Sequence, residues 1–112
     1  MISPALPPNE QKRMEALRKL NILDTSPEER FDRITRLAAQ LFSCEFATVS
    51  LIDSTRQWFK SKVNLDVDET SRDIAFCAHA ILETDALIVQ DTHKDKRFSS
   101  NPLVVELSLI HI

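Results

Sequence analysis

A chain of 112 residues without a single glycine must make its turns without the residue most turns are built on. Average usage would supply about eight glycines. Tight antiparallel hairpins place glycine where φ is positive, because a Cβ crowds the backbone there. Either this chain turns on Asn, Asp and Ser, or its glycine-bearing part is absent. The remaining composition, 43% hydrophobic and 28% charged, is that of an ordinary folded protein and argues against disorder throughout. At this length the chain is one domain or a piece of one.

Charge and patterning exclude several classes. A net charge of −3 with both signs interleaved offers no basic field for nucleic-acid phosphates. No apolar run approaches the roughly 18–20 residues of a membrane span, and Met1-Ile2-Ser3-Pro4 lacks the regions of a signal peptide. A cytoplasmic location is expected. Cys44 and Cys77 are too few and too far apart for a disulfide framework and read as reduced thiols.

Three prolines in residues 1–8 make an extended leader. Asn9 is placed to cap a helix reaching about Leu20, with Met14, Leu17 and Leu20 along one face. That narrow stripe suits packing on one neighbour, a second copy included. Ser26-Pro27-Glu28-Glu29 has the form of a capping box. The helix after it carries Phe31, Ile34, Leu37, Ala38, Leu41 and Phe42, a wide face for a core. Glu45 to Asp53 reads as a strand, Asp53 to Arg56 as a polar turn, and Gln57 to Val63 as the hairpin partner. Residues 64–70 form a polar loop, where Asn64 can take the left-handed conformation. A helix is expected from Ser71 or Arg72 to Leu82, a short buried strand over Ala86 to Val89, and a charged loop from Gln90 to Ser100. Asn101 to Glu106 could begin a helix or a strand. The order predicts an α+β fold, an antiparallel sheet with helices on one face, and three short strands leave that sheet incomplete.

Several motifs in order resemble the front of a bacterial GAF domain. They are Arg56-Gln57-Trp58-Phe59-Lys60-Ser61, Glu69-Thr70-x-Arg72, Phe76-Cys77-Ala78-His79-Ala80-Ile81, Asp91-x-x-x-Asp95-x-Arg97-Phe98 and Asn101-Pro102-Leu103-Val104. The stretch from Asn9 to Asp32 resembles the lead-in of a subgroup found upstream of histidine kinase or diguanylate cyclase domains. The resemblance implies five or six antiparallel strands, helices on one side and a ligand pocket on the other. It also implies a non-catalytic domain that senses a small molecule in a bacterial signalling protein. Asn64 stands where relatives often have glycine, and Ser71 and Gln90 where proline is frequent. Relatives continue through apolar, glycine-bearing strands, whereas Leu107-Ser108-Leu109-Ile110-His111-Ile112 reads like a translated sequencing adaptor. The expected organisation is therefore a leader over 1–8, a lead-in helix and linker over 9–25, a truncated GAF-like domain over 26–106 with its C-terminal strands missing, and a non-native tail over 107–112. A short natural terminus is the alternative. Truncation would also account for the missing glycines.

The candidate ligand-binding residues are Trp58, Arg72, Cys77 and His79. Trp58 offers a flat platform or a sheet-face packing residue. Arg72, like Arg56, carries a fork that matches carboxylate or phosphate, or else pairs with Glu69, Asp73 or Asp53. Cys77 and His79 are two apart, which on a helix points them about 200° away from each other and argues against a shared metal. Light-sensing relatives hold bilin on a cysteine beside a histidine, but here Ala78 intervenes. Cys77 otherwise packs as a small hydrophobe and His79 bonds a neighbouring loop or titrates as a switch. Asp91, Asp95 and Arg97 read as a loop that ties itself down. No Gly-rich phosphate loop, His-Glu-x-x-His motif or paired nucleophile and base is present, so no enzyme is expected and no cofactor is assigned. Two readings stand: a small-molecule sensor joined to a downstream output domain, and a ligand-free dimerisation scaffold paired through Met14, Leu17 and Leu20.

Overall fold

A computed structural model describes residues 1–107 of the chain. Helix α1 spans Glu10–Lys19 and α2 spans Glu29–Leu41, followed by strands β1 (Ala47–Ile52), β2 (Arg56–Val63) and β3 (Glu69–Ser71). A 3-10 turn over Arg72–Ile74 leads into α3 (Phe76–Ala80), a second over Thr92–Lys94 follows, and α4 covers Pro102–Leu107. The strands form one antiparallel sheet in the order β1-β2-β3. This is the expected α+β architecture, with α2 lying on β1 and β2 and α3 meeting β1.

The turns answer the missing glycine. Asn21, Asp24, Ser43 and Asn64 all hold positive φ, between 49° and 62°. Short polar side chains thus carry the left-handed positions. Asn64 also donates from its amide to the Glu45 carbonyl at 2.9 Å, closing the far end of the β1–β2 hairpin. At the near end the Asp53 amide donates to the Arg56 carbonyl at 2.8 Å.

Two expectations for α2 are corrected. Ser26 caps nothing: α2 starts at Glu29 behind an extended Glu28, with no side-chain cap bond. The Ser26 carbonyl and Thr25 Oγ1 instead accept from Lys60 Nζ at 2.7 and 2.6 Å. The Lys60 ammonium is almost fully buried and needs acceptors, whereas a helix terminus facing water is satisfied by solvent. Nor is the wide apolar face a core face. Phe31 and Ala38 are half-buried, but Ile34, Leu37, Leu41 and Phe42 are 53–74% exposed. Thr35 sets this rotation from its buried position, with its Oγ1 2.8 Å from Ser61 Oγ, which donates to Asp32 at 2.6 Å.

Further along, β3 occupies the end of the stretch read as a loop, paired with Arg56–Trp58. The helix expected to run unbroken from residue 71 or 72 to 82 is interrupted at Ala75, which is extended and wholly buried. Ser71 Oγ accepts from the Asp73 amide, a local bond that favours a tight turn over a continuing helix. Ala86 to Val89 form no strand, because Val89 meets its burial need in a cluster with Phe98 and Val104 rather than in a ladder. Asn101 begins a helix, accepting from the Leu103 amide and donating to the Ile74 carbonyl, both at 2.9 Å. A second cluster gathers Ile52, Ala75 and Ala78, with Cys77 and Ile81 against it. Met14 and Leu17 are buried within the chain, so the one neighbour that their stripe packs on is internal, and Leu20 alone stays exposed. Of the non-native tail expected over 107–112, Leu107 ends α4 and residues 108–112 lie outside the described residues.

Candidate functional site

Two of the hollows among the described residues border the sheet. One, of about 490 Å³ and open to solvent, lies between α1, β1 and α3, lined by Arg13, Leu17, Ser50, Ile52, Cys77 and Ile81 among others. Its lining is mainly aliphatic, and the polar groups at it are a thiol, a hydroxyl and the Arg13 guanidinium. The other, of about 640 Å³, lies between α2, the linker before it and β2, with Asp24, Arg36, Trp58 and Lys62 on its walls. Its two lysines are already paired: Lys60 meets Glu28 at 2.7 Å and Lys62 meets Asp68 at 2.8 Å.

The four candidate residues do not converge. Cys77 lies in the first hollow, and burial pushes its thiol above the ordinary range, with the Ser50 hydroxyl pulling less strongly the other way. Trp58 sits in the middle of β2, opposite Leu51 on β1 and Glu69 on β3, and borders the second hollow. Arg72 is buried beneath α1. Its guanidinium donates to the Glu10 carboxylate at 2.6 and 3.1 Å and to the Asp53 carbonyl at 3.0 Å. His79 turns to the leader, with Nε2 3.1 Å from the Ile2 carbonyl and its ring edge-on to Phe98 at 5.1 Å. Burial lowers its pKa, which favours the neutral ring. Arg56 joins Asp24, Asp53 and Glu69, all within 3.0 Å, and so ties the linker, the hairpin turn and β3 together. Asp95 and Arg97 pair at 2.8 Å, as the self-tethering loop predicts.

Sequence reasoning passed over Glu10. Its carboxylate accepts from Arg13 at 2.7 and 3.0 Å as well as from Arg72, and these hydrogen bonds, Arg72's first, hold its pKa at about 2. A Glu–Arg pair three apart on a helix was a visible signal, but its link to position 72 is made only by folding. Lys60 was passed over as well, although a lysine among the apolar residues of a strand asks for partners. Chemically, the first hollow favours binding over reaction. A thiol held protonated by burial is a poor nucleophile, and the side chain bonded to it, Ser50, offers a hydroxyl rather than a base.

Comparison with known proteins adds two findings. The family model for the GAF domain matches residues 26–111 of the chain. A curated relative from Pseudomonas aeruginosa, described as a cyclic di-GMP phosphodiesterase, is 36% identical over 104 residues. That alignment takes in 93% of this chain and 18% of the relative, so the chain spans less than a fifth of that protein's length.

Proposed function

The chain belongs to the GAF domain family, and on that premise we propose that it is a sensory module of a bacterial signalling protein, binding a small molecule between α1, β1 and α3. The observation that carries this reading is the hollow itself. It is mainly aliphatic, large enough for a small organic ligand and bordered by elements from three separate parts of the chain. A molecule seated there would touch α1, β1 and α3 together, and would favour whichever packing of the three it fits best. The module performs no chemistry of its own. Its output belongs to another part of a longer protein, for which the relative's description suggests cyclic di-GMP turnover, as an alternative to a histidine kinase or diguanylate cyclase. The exposed Ile34, Leu37, Leu41 and Phe42 favour a second reading, a scaffold that associates through α2.

Mass spectrometry of small molecules released from the purified protein separates the two. The sensor retains a compound that Ala80→Trp, which fills the hollow, releases. Retention unaffected by that substitution, or no retained compound, overturns the assignment of the hollow as the ligand site.

A further inference from the structure

We infer that α2 pairs antiparallel with the α2 of a second copy of this chain, through Ile34, Leu37 and Leu41. The inference is independent of the ligand reading, because no residue of α2 lines the α1–β1–α3 hollow. It names the occupant of the face on which the scaffold reading rests.

The face has the shape that a second helix needs. At about 100° per residue, Ile34, Leu37 and Leu41 fall within roughly 60° of one another, and Arg30 continues their line toward the N-terminus. Thr35 holds another side of the helix against Ser61 of β2, so the line cannot turn inward without breaking those buried bonds. Phe42 follows at the end of α2, and Ser43, left-handed at φ 49°, turns the chain aside. Together the four apolar side chains expose roughly 500 Å², near the top of the range for a monomer's largest patch. A stable interface takes about 800 Å² from each partner. The line therefore supplies more than half of it as an apolar centre, and the charged side chains around it form the rim.

Charge decides the orientation. Arg30 and Arg33 stand toward the N-terminal end of the line. Arg30 is paired with Glu28 of its own chain, whereas Arg33 is exposed and makes no ion pair among the described residues. At the other end, the last turn of α2 holds no basic residue to meet the negative pole of the helix, and Glu45 just beyond it is exposed. A parallel pair would set Arg33 against Arg33 and leave both negative poles side by side. An antiparallel pair brings the Arg33 end of each helix to the Glu45 end of the other, and a twofold axis near Leu37 and Ala38 makes that match twice.

Sedimentation equilibrium of the purified protein, from low micromolar to sub-millimolar concentration, tests this. The expected result is a reversible monomer–dimer equilibrium that Leu37→Lys weakens about tenfold or more, by setting a charge into the apolar centre. In dilute solution, where only monomer is present, Leu37→Lys is expected to unfold at the same denaturant concentration as the parent, so the loss is of association and not of folding. Arg33→Glu is expected to weaken the dimer about fivefold at low salt, and R33E/E45R to restore it. This charge exchange reads the interface even where Leu37→Lys perturbs folding. A protein that stays monomeric throughout, or a dimer that Leu37→Lys leaves intact, overturns the α2 interface. A dimer that Leu37→Lys breaks but Arg33→Glu leaves alone keeps the scaffold's face and overturns the antiparallel pairing. Retention of a compound in the hollow bears on the ligand reading alone, so the failures are distinguishable.

Discussion

Glu10 shows how much of this molecule rests on single polar residues that bridge distant segments. Its carboxyl is held at about 2 by the bonds to Arg72 and Arg13, against an ordinary value of 4.5. Because the folded value is the lower one, the folded state gains from this group fully above pH 4.5 and loses the gain as pH falls toward 2. With the side chain about one-fifth exposed, Glu10→Gln is expected to cost about 1–2 kcal/mol at neutral pH, between an exposed and a buried pair. Urea unfolding of both proteins between pH 7 and 2 checks this, and the two curves should converge at the acid end. Lys60 is the mirror case, a buried cation with three oxygen partners, and Lys60→Met should cost about 2–3 kcal/mol by removing its charge-assisted bonds to Thr25, Ser26 and Glu28. Asn64→Ala should cost about 1 kcal/mol or more, losing both the left-handed preference and the bond to Glu45, and Asn64→Gly less, losing only that exposed bond, as a comparison of melting midpoints would show. Asn64 was legible in the sequence because its need is local. Lys60 and Glu10 were not, since their partners lie 35 and 62 positions away.

At the scale of elements, local patterning was read well where a segment's burial and its backbone agree. The β1–β2 hairpin and the position of α1 fall where alternation and spacing placed them. It failed where tertiary bonds override the pattern. The Thr35–Ser61–Asp32 bonds turn α2 so that its Ile34–Leu37–Leu41 line faces outward, although the same periodicity marks a core face. Leu37→Lys should accordingly change stability by less than about 0.5 kcal/mol. Thr35→Ala, which removes the hydroxyl that meets Ser61, should cost about 1–2 kcal/mol. Chemical denaturation of the two variants ranks them, and the ranking is opposite to the one that hydrophobicity alone suggests. β3 went unread because three polar residues have no period of their own and become a strand only by pairing with Arg56–Trp58.

Across the whole molecule, the family was legible because its motifs fall in order along the chain, a property that needs no folding to be seen. The site was less so. Trp58, Arg72, Cys77 and His79 fall within 22 positions, yet the fold sends Trp58 to one hollow, Cys77 to another, His79 to the leader and Arg72 to Glu10 on α1. What surrounds the proposed ligand site is instead α1, β1 and α3, brought together from positions 13 to 81. Titration with indole, a small aromatic suited to an aliphatic hollow of about 490 Å³, followed through backbone amide chemical shifts, tests that placement most directly. The expected result is saturable shifts confined to α1, Ser50–Ile52 and Cys77–Ile81. Shifts centred on Trp58–Lys62, or none that saturate, would contradict it.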